Sequence, residues 1–218
     1  MTQPVIIKSP SPNYKHFYMV VGAVSLLIGM SGQSLWPSLK LQFGVLCLAA
    51  LSCFVIGVIK HFEPAVSLIF DNKKLTYFHR YGQWSIRWEN VARVHIPVFH
   101  YGLEHREISY IGVKLNELEE LTDQFSPRLA SRIIHEHRDI LALAVSQGDM
   151  TAGQVQINFD TYKFASGYQV TGPMAACLHQ MEILEKVYGA HLFIPFSGFS
   201  QPPQDIVQQM TLVQKAHS

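Results

Sequence analysis

Two long apolar runs occupy most of residues 1–60, and no acidic residue lies among them. The runs cover about 17–36 and 41–59, so each supplies the roughly 20 residues that a membrane-spanning helix needs. Trp36 and Pro37, at the end of the first run, are typical of an interfacial turn, where the indole lies at headgroup depth and proline ends the helix. The pattern predicts a transmembrane helical hairpin.

The edges and faces of this hairpin follow from its polar and small residues. We expect it to cover 16–60, after an N-terminal segment 1–15, with these side chains at the membrane interface: Lys15, Trp36, Lys40 and Lys60. Small residues at helical spacing predict that the two helices pack through Ser25, Gly29, Ala49, Cys53 and Gly57. A cleaved signal peptide does not fit, because a second apolar run follows the first at once.

After residue 62 the pattern changes to short alternating segments separated by polar turns, which indicates an antiparallel meander. Strands are predicted at 66–70, 75–79, 83–88, 91–98 and 108–115. In the third of these, Trp84, Ile86 and Trp88 alternate with polar residues. They are therefore predicted to share one buried face of the strand.

Helical periodicity dominates the rest of the chain. Asn116 is expected to cap a short helix over 117–124, and Ser126 with Pro127 predicts the start of a longer helix that stops at Gly148. The further predicted elements are a strand at 155–159, a helix at 173–188, a strand at 191–195 and a closing amphipathic helix that buries Ile206 and Met210. The predicted fold class is α+β, in a domain that covers 62–218.

One stretch resembles a known family. Residues 86–91, Ile-Arg-Trp-Glu-Asn-Val, resemble the sequence that leads into the fourth strand of bacterial pleckstrin-homology-like (PH-like) domains. The likeness covers about 66–115 and 190–214, and the chain looks like bacterial membrane proteins that join a two-helix hairpin to such a domain. It implies an antiparallel PH-like barrel or meander with a C-terminal helix. The helical block at about 117–148 and the helix at 173–188 depart from that layout and would be insertions. The implied role is to bind a ligand or partner at a membrane.

Composition and histidine placement limit the possible chemistry. The 17 Lys and Arg nearly balance the 16 Asp and Glu, which argues against a nucleic-acid binder that depends on bulk positive charge. His135 and His137 point to different faces of a helix, so they lack the spacing of a zinc helix. His95, His100 and His105 surround one loop without a nearby Cys or carboxylate pair. No catalytic, metal or cofactor site is predicted, and we expect a protein that is not an enzyme.

One group of residues has a rationale for binding. Lys73, Lys74, Arg80 and Arg87 lie in or near the first turns after the hairpin, and anionic headgroups attract such side chains by about 1 kcal/mol each. Ordinary solvated turn residues are the alternative. The sequence favours a membrane-anchored module that binds an unidentified protein or lipid partner. The alternatives are a structural subunit of a membrane complex and an enzyme at the membrane surface.

Lysine placement predicts that both termini face the cytoplasm of a bacterial inner membrane, because Lys8 and Lys15 precede the hairpin, Lys60 closes it and only Lys40 lies in its loop. A cysteine introduced at Ser38 should then react with an impermeant thiol reagent added to intact cells. A cysteine at Ser218 should react only after lysis. Digestion of the domain by a protease added outside would show the reverse orientation.

Overall fold

The structure is a computed structural model that describes residues 4–9, 14–61, 66–101, 104–151 and 153–216. The chain divides into two compact units, a pair of apolar helices and an α+β domain. The domain contains the C-terminal part of the chain together with a strand from before the helices.

The two apolar runs form the helices α1 (Lys15–Leu35) and α2 (Lys40–His61), joined by a 3-10 turn at Pro37–Leu39. Both helices are long and apolar enough to cross a membrane, and they expose large apolar side chains such as Leu27 and Leu41. Such exposure is unfavourable in water and costs nothing in lipid. The prediction of two apolar helices is confirmed.

Glycines allow α1 to approach α2 closely. Three of them leave no room for a side chain, with Gly22 against Phe54, Gly29 against Cys47 and Gly32 against Phe43. A Cβ at Gly22, for example, would lie 2.7 Å from the backbone nitrogen of Phe54. At Gly22 and Gly32 the neighbour on α2 is a phenylalanine, whereas at Gly29 it is the small residue Cys47. Of the predicted set of small residues, Gly29 and Gly57 are buried, whereas Ala50 is buried in place of Ala49.

In the residues that the structure describes, the domain is built from short strands and three α-helices. The strands are β1 (Val5–Lys8), β2 (Val66–Phe70), β3 (Lys74–His79), β4 (Gly82–Arg87), β5 (Val91–His95), β6 (Val98–Tyr101), β7 (Glu104–Glu107), β8 (Tyr110–Leu115), β9 (Tyr162–Lys163), β10 (Gln169–Val170) and β11 (Leu192–Pro195). The helices are α3 (Pro127–Gln147), α4 (Gly172–Tyr188) and α5 (Pro203–Lys215). The α+β class is confirmed.

All strand pairs in the described residues are antiparallel. One sheet has the order β1-β2-β3-β4 and a second has the order β11-β8-β5, while β6-β7 and β9-β10 are separate hairpins. In the described residues the two larger sheets are not joined by strand pairing. The predicted five-strand meander is therefore present only over β2, β3 and β4, and the barrel of the PH-like resemblance is not closed. The helices α3 and α4 pack against each other, as their apolar stripes require.

The strand β1 joins a sheet whose other strands all follow the helices. Val5 lies opposite Phe70 and Ile6 opposite Ile69, in β2. Ile7 is completely buried in the domain core, whereas its neighbour Ile6 is 48% exposed on the other face. The N-terminal segment, expected to stand apart from the domain, thus contributes a strand. Because β1 precedes the helices and β2 follows them, both ends of the hairpin lie on one side of any bilayer that the helices cross.

The predicted apolar face of the third strand lies in the same core. Trp84 and Ile86 of β4 are buried, and so is Trp88, although it lies in a 3-10 turn just after the strand. Ile206 and Met210 of α5 are completely buried in this core, where α5 packs on β5 and on the turn that contains Trp88. The closing helix therefore buries its apolar stripe as expected.

Three local predictions are wrong. The segment 155–159 is not a strand, and Ile157 and Phe159 are exposed, because no neighbouring strand in the described residues pairs with it. The strand predicted at 91–98 is interrupted at Pro97, which has no N–H to donate to a ladder, and the hairpin β6-β7 forms where a loop was expected.

The third error concerns the helix predicted at 117–124. Only a 3-10 turn forms there, at Glu119–Leu121. Its start is held by Asn90, whose side-chain oxygen accepts the Glu117 N–H at 2.7 Å, whereas the expected cap, Asn116, bonds elsewhere, to the carbonyl oxygen of Glu89. By contrast, the Ser126 cap and the left-handed Gly148 bound α3 as predicted.

Replacing Ile7 with alanine should lower the free energy of unfolding of the domain by about 2–5 kcal/mol, because it leaves a cavity in the core. The measurement is urea unfolding of the full chain in detergent, followed by the fluorescence of the buried Trp84 and Trp88 in a Trp36→Phe background. Ile6→Ala is the matched control and should change stability by about 0.5 kcal/mol or less. Equal effects of the two substitutions would contradict the pairing of β1 with the sheet.

Candidate functional site

The four basic residues singled out in the sequence lie at opposite ends of the β3-β4 hairpin. Lys74 is paired with Arg87 at one end, and Lys73 lies in the preceding turn. Arg80 lies in the tight turn at the other end, where His79 is paired with Gly82. A six-residue strand is about 20 Å long, so the structure brings three of the four together and separates Arg80 from them.

Asp71 shapes the turn at the end of the β3-β4 hairpin that contains Lys73 and Lys74, which we call the lysine end. Its carboxylate accepts the backbone N–H groups of Lys73 and Lys74 at 2.7 and 2.9 Å, which lowers the pKa of Asp71 and shapes the turn. The indole N–H of Trp88 donates to the Asp71 carbonyl oxygen at 2.6 Å and holds the turn on the core. A depression of about 500 Å³ opens here, lined by Asn72, Lys73, Lys74, Arg87, Trp88 and Glu89.

Acidic residues compensate the charge of Arg87. Its guanidinium lies 3.1 Å from a carboxylate oxygen of Glu120 and 3.8 Å from one of Glu89. A second depression of about 490 Å³ adjoins Arg87 and contains these acidic residues: Glu117, Glu119, Glu120 and Asp123. Buried Asn90 supports this wall by donating to a carboxylate oxygen of Glu120 at 2.7 Å. These carboxylates disfavour the binding of an anionic ligand at this end of the hairpin.

The other end of the hairpin carries an arginine cluster, which we define as Arg80, Arg128 and Arg132 around the ring of Tyr81. Their guanidinium carbons lie 6.0, 5.6 and 5.3 Å from the ring centre, within the range of cation–π attraction. All three arginines are exposed and Tyr81 is half-buried. Arg128 and Arg132 are four residues apart on α3 and so share a helix face. Nothing in the sequence indicates that Arg80 joins them, because that contact depends on how α3 packs.

A hydrogen-bonded pair lies beside the cluster. The Tyr81 N–H donates to Nδ1 of His79 at 3.2 Å, so the proton of the neutral imidazole is on Nε2, which donates to Glu136 at 3.1 Å. The same oxygen of Glu136 accepts from Arg132 at 3.0 Å, which forms an ion pair between residues four apart on α3. Partial burial would raise the pKa of the Glu136 carboxyl, but its contacts with His79 and Arg132 outweigh burial and lower it.

Among the side chains that the structure describes, the histidines that the sequence offers as metal ligands lie in environments that do not form a metal site. Burial lowers the pKa of His137 to about 4, so it is neutral at pH 7, in edge contact with Phe193. His135 is exposed, and His95 bonds to the carbonyl oxygen of Tyr188 at 3.1 Å. In the part of the chain that the structure describes, no three His, Cys, Asp or Glu side chains lie together as a metal ion would require.

The predicted interface residues lie at the hairpin ends. Lys15 begins α1, Lys40 begins α2 and Lys60 is in its last turn. Trp36 follows α1, is 55% exposed and stacks on Phe43 with 6.3 Å between ring centres. These positions agree with an aromatic and basic boundary at both ends of an apolar hairpin.

Comparison with known proteins gave one match. Residues 68–216 match the family described as Protein of unknown function (DUF2982). The match lies within the domain and does not include β1 or the two apolar helices α1 and α2. No curated protein and no solved structure matches the chain.

The lowered pKa of Glu136 predicts a pH-dependent contribution to stability. The unfolded chain takes up the proton near pH 4.5, and the folded chain takes it up at lower pH. The contribution is therefore present above about pH 4.5 and is lost as the pH falls through the folded pKa. Glu136→Gln should give a shallower fall in the free energy of unfolding below pH 5, measured by urea unfolding of the full chain.

The control for this measurement removes the two groups that lower the pKa. In a His79→Gln/Arg132→Gln background, Glu136→Gln should change the slope much less. If the free energy of unfolding depends on pH in the same way in the wild type and in Glu136→Gln, the contacts of Glu136 do not contribute to stability.

Proposed function

The chain belongs to the DUF2982 family of proteins of unknown function, and from this premise we propose that it is a membrane-anchored binding module. In this proposal α1 and α2 cross the inner membrane of a bacterium. The domain lies on the cytoplasmic side and holds a protein or lipid partner at the bilayer surface.

The pairing of β1 with β2 is the observation that carries the proposal. In a soluble domain there is no reason for two exposed apolar helices to lie in the sequence between two strands that pair with each other. An anchored domain gains from it two attachments to the bilayer, one through β1 and one through β2. The exposed apolar surface of α1 and α2 then faces lipid, where it is stable.

The placement of positive charge supports a cytoplasmic location of the domain. Lys8 and Lys15 precede the hairpin and Lys60 ends it, while the connecting turn has only Lys40 next to it. Because β1 and β2 share a sheet, the domain must lie on the same side as these basic ends. The arginine cluster adds further positive charge to that side.

A binding role fits the domain better than a catalytic one. Its two charged depressions are open at the surface and are lined by ion pairs and turn residues. Burial raises the pKa of the Cys177 thiol to about 12, which disfavours the thiolate that a nucleophile requires. The PH-like resemblance also implies binding at a membrane, and we retain it here as part of the proposal.

The alternative is a structural subunit of a larger membrane complex. In the structure Gly22, Gly29 and Gly32 contact α2 of the same chain, so these glycines do not support contacts with other subunits.

Two measurements test the proposal. The full chain should stay in the membrane pellet after alkaline carbonate extraction, because its helices are integral. Cysteines at Ile6 and Ile69, which are opposite each other, should form a disulfide in the membrane-bound chain after the native cysteines are replaced with alanine. With a protease site inserted after Ser38, this disulfide should hold the two cleaved fragments together on a non-reducing gel.

The control pair is Ile6→Cys with Thr76→Cys. Thr76 lies opposite Ile69, so it is two strands away from Ile6, about 9.6 Å, which is too far for a disulfide. Release of the chain by carbonate would contradict anchoring. Equal linkage by both pairs, or by neither, would contradict a sheet formed on one side of the membrane.

A further inference from the structure

We infer that the arginine cluster is a binding site for the phosphate of anionic phospholipid headgroups. The inference rests on the proposed function, since it assigns a partner to the anchored domain. Three exposed guanidinium groups converge on one face of the molecule, and guanidinium is well suited to phosphate because it donates two parallel hydrogen bonds.

The charge of the cluster is mostly uncompensated. In the described residues, Arg132 has an acidic partner, Glu136, while no carboxylate lies within 4.0 Å of Arg80 or Arg128. Tyr81 holds the guanidinium groups in place through its ring, so less side-chain freedom is lost when a phosphate binds. Two guanidinium groups with no acidic partner next to a half-buried aromatic ring form a surface that attracts an anion.

The cluster lies at the end of the sheet to which the hairpin is connected. Lys8, the last residue of β1, is paired with Val66, the first residue of β2. The strand β3 runs antiparallel to β2, so the end of β3, with Arg80 just beyond it, lies beside these residues. Only residues 9–14 and 62–65 separate this edge from the helices in the sequence. The basic surface and both connections to the hairpin therefore share one end of the sheet.

The lysine end of the β3-β4 hairpin is the weaker candidate for the same ligand. It lies at the opposite end of the sheet, its Arg87 is paired with Glu120 and Glu89, and the adjoining depression is acidic. Charge and connectivity thus both favour the arginine cluster, although Lys73 and Lys74 are closer together in sequence.

The test compares two pairs of substitutions that remove equal charge. The full chain in detergent is titrated with phosphatidylglycerol or phosphatidylcholine, and bound lipids are counted by native mass spectrometry. Arg80→Gln/Arg128→Gln should weaken phosphatidylglycerol binding about 30-fold, which corresponds to about 1 kcal/mol for each basic side chain. Lys73→Gln/Lys74→Gln should change it less than about threefold. Both variants must retain the wild-type thermal transition.

Each other outcome overturns the assignment. Equal losses in the two variants would show a general effect of net charge, and wild-type binding without preference for phosphatidylglycerol would show no headgroup site. Displacement of the lipid by millimolar inorganic phosphate would identify free phosphate as the ligand.

Carbonate extraction of the same samples separates this inference from the proposed function. If the wild type is extracted while its lipid preference still needs Arg80 and Arg128, the anchor is wrong and the lipid site stands. If the chain stays in the membrane and the arginine pair has no effect, the anchor stands and the lipid site is wrong.

Discussion

Backbone hydrogen bonds between β1 and β2 join residues from the two sides of the helical pair, and the rest of the architecture depends on them. Without β1, the amide and carbonyl groups of β2 would be exposed at a sheet edge, and the place that Ile7 fills in the core would be empty. The same bonds require both ends of the hairpin to emerge on one side of a bilayer. In the proposed anchored protein, this single strand pair would place every basic group of the domain on the same side of the membrane as the two ends of the hairpin.

Periodicity in the sequence predicted the elements whose partners are close in the chain or whose apolar stripe is long. Both apolar helices, the strands β2, β3 and β4, and the capped helix α3 lie where the pattern places them. The failures at 155–159 and at β1 have a common cause, which is that strand pairing is not local. The segment 155–159 alternates like a strand but has no neighbour to pair with, whereas the four residues of β1 form a strand because β2, far away in sequence, pairs with them.

The candidate site was likewise only partly predictable from the sequence. Lys73, Lys74, Arg80 and Arg87 are close in sequence, but an antiparallel hairpin sends Arg80 to the end opposite the others. Arg128 and Arg132, which share the ring of Tyr81 with Arg80, come from the first turns of α3, and no spacing rule connects them with Arg80. Sequence reasoning could identify basic side chains in turns. It could not identify which of them share a surface, because that depends on helix packing and on ion pairs such as the one between Arg87 and Glu120.

The glycine contacts between α1 and α2 bear on the order of folding. When β1 pairs with β2 it closes a loop of residues 9–65, and an unstructured loop of that length carries an entropic cost that grows with the logarithm of its length. Close packing at Gly22, Gly29 and Gly32 brings the outer ends of the helices together first, so only the short connecting segments remain to be ordered. The strand β1 leaves the ribosome before the helices and must wait for β2. Association of the helices therefore lowers the entropic cost of completing the sheet.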